Sequence, residues 1–181
     1  MPVADCARHG GAAPKGTSVA SPDSDRAVAF SLQLQQAHRQ LRRQVETLKA
    51  DLGRRRFDDD VLVTHCLAFC AALTTHHTGE DEGLFAELLR ARPDLAKTVA
   101  NLVQDHEMIG TILLRVTQLA DEAARSPASG LDAVGRELDG LMAIMESHFN
   151  YEERAISAAL DAGVHDTGWS GTVFRVRDHV G

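Results

Sequence analysis

Residues 134–155 read VGRELDGLMAIMESHFNYEERA, and Val134, Leu138, Leu141, Met145 and Ala155 step along them by threes and fours or their sums. That spacing marks one face of an amphipathic helix. His148 and Glu152 occupy the same face, at positions a core would fill with apolar side chains. Three further stretches repeat the form: Leu95, Val99, Leu102, His106, Ile109, Leu113, Val116; then Leu62, Cys66, Phe69, Leu73, His76, Glu80; then Leu34, His38, Leu41, Val45, Leu48, Leu52. Each apolar stripe thus carries one imidazole, and two carry a carboxylate one turn later. A buried histidine or glutamate without a partner is costly. Four histidines and two carboxylates turned to one interior are explained if something binds them all, and a metal is the simplest candidate.

The four stripes fix the fold class. Helix A is expected from about 25 to 51, stopping at Gly53, and helix B from about 58–60 to 90. Pro93 and Asp94 start helix C, which reaches about 125. Ser126-Pro127-Ala128-Ser129-Gly130 is a connection, and helix D follows to about 161, closing at Gly163. Short connections between long helices imply antiparallel neighbours. The expectation is an all-α, antiparallel up-down-up-down four-helix bundle over 25–163. Residues 1–24, rich in Ala, Gly, Pro and Ser, are read as a flexible, disordered N-terminal arm. Residues 164–181, with Trp169, Val173, Phe174 and Val176, form a short C-terminal tail expected to fold back as a cap.

Composition narrows the function classes. The 181 residues fit one domain, and few aromatics favour helix-on-helix packing. A formal charge of −7 argues against nucleic-acid binding. The basic residues Arg39, Arg42, Arg43, Arg54, Arg55 and Arg56 read as a solvated helix face and loop. No apolar run is long enough to span a bilayer. Asp5, Arg8 and His9 stand where a secretory leader would be apolar. Three cysteines do not make a disulfide framework. A cytoplasmic location is expected.

Residues four apart on a helix lie on one face, about one turn apart. His76-x-x-x-Glu80 and His148-x-x-x-Glu152 are such pairs, while His38 and His106 are single. His38 lies about 14 residues before the end of helix A, and His76 about 17 after the start of helix B, so their depths agree within a turn. The same count for helices C and D is about 19 and 18. Six ligands exceed the four a structural zinc wants. Mixed nitrogen and oxygen donors suit two metal ions, iron first and manganese next, with zinc less suited. The ferritin-like di-iron proteins use Glu-x-x-His, an ordering absent here.

In this ordered set, His38, His76/Glu80, His106 and His148/Glu152, the chain resembles the haemerythrin-like, His-His-Glu cation-binding family over roughly residues 30–160. The acids followed by Leu84-Phe85 are also familial. The resemblance implies a non-haem di-iron centre with an oxo or hydroxo bridge and bridging carboxylates. It implies chemistry on O2, hydrogen peroxide or nitric oxide. The oxygen carriers have a second histidine one turn after that of helix C, where this chain has Gly110. They place the last acid five residues after its histidine, which here is Glu153. Glu152 is preferred because its spacing copies His76/Glu80, with Glu153 in reserve. The missing histidine leaves an open or water-filled position on one iron, which speaks against reversible O2 carriage and favours peroxide turnover or sensing, and a peroxide-consuming, catalase-like oxidoreductase is the first reading. The alternative is a non-catalytic protein that binds or senses O2, NO or iron.

The remaining candidates have plainer readings. His77 is expected beside the site or at the surface, or as a substitute ligand for His76. Asp81 and Glu82 are solvated acids that orient neighbouring imidazoles at most. Tyr151 and Glu153 could stand behind the ligands. Cys66 and Cys70 are small buried hydrophobes. Met142 and Met145 are core residues, His65, His165 and His179 surface ones, and Cys6 with His9 a chance spacing.

Overall fold

The computed structural model describes residues 29–54, 58–125 and 127–176. The arm 1–24, the start of helix A before 29, Arg55, Arg56 and His179 lie outside them. All regular structure in the described residues is helical. Helix α1 is Phe30–Arg54 and α2 is Asp59–Gly79; a π-helical turn, Glu80–Leu84, leads into α3, Phe85–Ala91. A 3-10 turn, Pro93–Leu95, precedes α4, Ala96–Arg125; α5 is Pro127–Asp161 and α6 is Ser170–Val173. The connection expected at 126–130 is taken into α5 from Pro127 onward. Proline suits a first helical position, where its missing N–H is no loss.

Four long helical segments pack side by side in a ring: α1 against α2 and α5, and α4 against α2 and α5. The stripes read from the sequence are the faces they bury. Leu41, Val45, Leu73, Ile109, Leu113, Leu138, Leu141 and Met145 join one apolar cluster. Leu34, Leu84, Phe85, Leu102 and Ile156 belong to a second. The two clusters sit on opposite sides of one polar layer. His38 lies between Leu34 and Leu41 on α1, and His106 between Leu102 and Ile109 on α4. The levels matched by counting residues therefore meet in space.

Helix B is not the single α-helix expected. The chain widens into the π turn directly after Gly79, at Glu80. Such turns insert one residue and shift the register that follows. Two glycines let the C-terminal segment close in on this turn. A Cβ on Gly83 would stand 2.5 Å from Cβ of Trp169, and one on Gly79 would stand 2.8 Å from Cγ2 of Thr172.

The tail does fold back. Gly163, at φ +116°, turns the chain after α5. Trp169 is buried edge-on to Phe30, with ring centroids 5.1 Å apart, and its Nε1 donates to the carbonyl of His165 at 2.9 Å. Val173 is fully buried. The start of α1 is tied to the end of α5, because Asp161 accepts from the backbone N and Oγ of Ser31 at 3.0 and 2.6 Å. No helix among the described residues is long and apolar enough to cross a membrane.

Candidate metal centre

The polar layer is built from α1, α2, the π turn, α4 and α5. His38, His76, His106 and His148 are all buried, as are Glu80 and Glu152, both fully. Nε2 of His38 and Nε2 of His76 stand 3.1 Å apart, and those of His106 and His148 3.0 Å apart. Between the pairs lie the carboxylates. Oε1 of Glu80 is 3.1 Å from Nε2 of His76, and Oε2 is 3.6 Å from Nε2 of His106. Oε2 of Glu152 is 3.3 Å from Nε2 of His38 and 3.8 Å from Nε2 of His148. Each glutamate thus spans from one histidine pair to the other.

The outer nitrogens are engaged. Nδ1 of His76 donates to the carbonyl of Val173 at 2.7 Å. A carbonyl can only accept, so Nδ1 carries the hydrogen. Burial and the neighbouring His38 also push His76 down to about 3, which keeps it neutral. Its Nε2 is left with a bare lone pair. Nδ1 of His38 faces Glu153 at 2.9 Å, that of His106 faces Asp81 at 2.8 Å, and that of His148 faces Asp105 at 3.3 Å. These acceptors fix each ring with Nδ1–H outward and Nε2 inward, the arrangement found behind metal-binding histidines.

Paired Nε2 lone pairs about 3 Å apart repel unless a cation lies beside them. None of the four oxygens of Glu80 and Glu152 makes a hydrogen bond, although all four are buried. Burial, then the charge of Glu152, pushes the Glu80 carboxyl far above its ordinary range. Burial works against a charge on Glu152 too, yet His38, His148 and His106 hold it down to about 2. His38 is raised by Glu152 and Glu153 in spite of burial. Protons therefore do part of the work that cations would do here. The donor set fits metal ions, with ligand atoms within 4.8 Å of one another in the groups His38/His76/Glu80 and Glu80/His106/Glu152.

The hemerythrin HHE cation-binding domain matches residues 31–160. The chain belongs to that family. No curated protein and no solved structure matches it. A hemerythrin-type chain with this buried histidine and glutamate layer is a metal-binding one, and iron suits the mixed donors best.

The six residues picked from the stripes thus converge on one layer. Glu153 sits behind His38, where it also takes Arg42 at 3.2 Å. Asp81 orients His106, and Glu82 is exposed. Tyr151 packs against the apolar cluster of Leu34 and Phe85. Cys66 and Cys70 are buried free thiols, Met145 is buried and Met142 half-buried. His165 is exposed and His65 half-buried. Within the basic patch, Arg42 is bound to Glu146 at 2.6 Å and lies 5.1 Å over the Phe149 ring.

Three features escaped the sequence. Asp105 adjoins His106 in sequence but orients His148, on another helix. The Val173 carbonyl serves His76 from 97 residues away. Phe149 stacks on His38 with ring centroids 3.9 Å apart and forms a floor beneath the imidazoles. Gly110 is exposed, and a Cβ there meets open space.

Proposed function

We propose that this hemerythrin-type chain is a non-haem di-iron protein that acts on small oxygen species in the cytoplasm, decomposing hydrogen peroxide. The reading takes the fold as an antiparallel up-down-up-down bundle over 25–163, to which the tail from 164 adds Val173. Its metal ligands would be His38, His76, His106 and His148 together with Glu80 and Glu152, a set that would hold two irons with an oxo or hydroxo group. The observation that carries it is the inward set of Nε2 atoms, each ring fixed from behind, around four buried carboxylate oxygens that make no hydrogen bond.

Bound iron supplies electron exchange and Lewis acidity. The chain supplies the rest. Glu153, Asp81, Asp105 and the Val173 carbonyl hold the Nδ1 protons and so aim the rings. The apolar clusters on either side keep bulk water from the layer. In net terms one peroxide is oxidised to O2 and another is reduced to two waters, which balances without an outside reductant. The buried free thiols of Cys66 and Cys70 accord with a reducing compartment.

A second reading, reversible binding of O2 or NO without turnover, is favoured by a third imidazole, His77, beside His106 and His148. The deciding test measures iron per chain and the optical spectrum while hydrogen peroxide is added and O2 release is followed. About two irons per chain and sustained O2 evolution are expected. Two irons with a spectral change but no turnover would move the function to binding. A folded protein that takes up no iron would overturn both.

A further inference from the structure

We propose that His77 is a ligand in its own right: the third imidazole, with His106 and His148, of one of the two metal positions. The inference rests on the di-iron reading above. His77 is adjacent to His76, but it does not stand in for it. Its ring lies against that of His106, with centroids 4.0 Å apart and planes 8° from parallel, and edge-on to His148 at 5.4 Å, so it is next to both, and sharing a cation with His106 would turn it out of this stack. His77, His106 and His148 offer ligand atoms within 4.8 Å of one another. The group His38/His76/Glu80 forms the other position.

His77 is 5% exposed, and its Nε2 is buried without any hydrogen-bond partner. A buried nitrogen left this way costs free energy that a coordinate bond would recover. Position 110, one turn beyond His106, cannot supply this imidazole, because it is a glycine. The third nitrogen donor instead comes from α2, at the last turn before the π turn. Neighbouring residues on a helix point about 100° apart. Two adjacent histidines can therefore serve two adjacent cations, His76 one and His77 the other.

The two metal positions are then unequal. The His106/His148 position has three imidazoles and the His38/His76 position has two, so a small ligand is directed to the latter. The open place expected from Gly110 moves to the other metal.

The test compares the full chain with His77→Phe, which keeps the ring and its stack but has no nitrogen, and with His77→Ala. Both are loaded with ferrous iron in air-free buffer, and iron per chain and the Mössbauer spectrum are recorded. Circular dichroism of the metal-free variants checks the fold. The expected result is two unequal iron sites in the parent, loss of the same one of them in His77→Phe and in a His106→Ala control, and recovery of that site in His77→Ala on adding imidazole. Equal iron content with an unchanged spectrum in a folded His77→Phe would overturn the proposal. Were His77→Phe misfolded, the imidazole response of His77→Ala decides, and its absence in a folded protein would also overturn it. A parent chain that binds no iron would sink the di-iron reading itself, a result distinct from either.

Discussion

At the scale of single residues, Glu80 shows what the site costs the fold. Its two oxygens are buried and make no hydrogen bond, and burial with the charge of Glu152 keeps the carboxyl protonated far above its ordinary range. The folded, metal-free chain holds this proton where the unfolded chain releases it. A raised folded-state value means stability present at low pH and lost as pH rises. Glu80→Gln should therefore raise the melting temperature of the metal-free protein, by about 1–2 kcal/mol of stability, with a gain that grows as pH rises. The same substitution should cut bound iron sharply. A variant that melts lower at neutral pH and binds iron normally would refute both halves. Behind the ligands, Asp105→Asn should weaken metal binding by about 10–100-fold, since carboxylates that orient ligand imidazoles carry effects of that size. A competition titration with a chelator measures it, and unchanged affinity would show that Asp105 does not set the His148 ring.

Among the elements, the four amphipathic faces could be read from the sequence because helix periodicity is local. Leu138, Leu141, Met145 and His148 announce their face whatever packs against it. Matching the levels of His38, His76, His106 and His148 needed only the rise per residue. The π turn could not be read from local pattern, and the segment packed against it, Trp169 and Thr172 beside Gly83 and Gly79, is distant in sequence. The contacts of His77 are equally non-local. Its neighbour His76 fitted the stripe, and only the packing of α4 against α2 shows that His77 meets His106. The π turn and the tail can be tested together. Gly83→Ala places a Cβ 2.5 Å from the Trp169 side chain, and one of the two must move. Overpacking of this kind typically costs about 1–3 kcal/mol. Trp169 is the only tryptophan, so its fluorescence should shift red as it leaves its pocket. An unshifted spectrum with an unchanged melting temperature would mean the contact is slack.

For the whole molecule, the polar layer divides the interior into two apolar clusters that cannot merge across it. Cations at the layer would join them into one cohesive unit. Ligands that bind only the folded state stabilise it by mass action, by about 2.7 kcal/mol at a hundred times the dissociation constant. Ferrous iron should raise the melting temperature by several degrees, and a chelator should reverse the gain. Equal melting with and without metal would show that the layer is held by its own hydrogen bonds. The assembly of that layer also has an order in time. His76 receives the partner of its Nδ1 from Val173, 97 residues further along. During synthesis the ring cannot be locked until that late segment has left the ribosome and docked. A chain cut short before it can bury most of both clusters yet leave His76 free to turn, so the docked tail marks a chain whose site is finished.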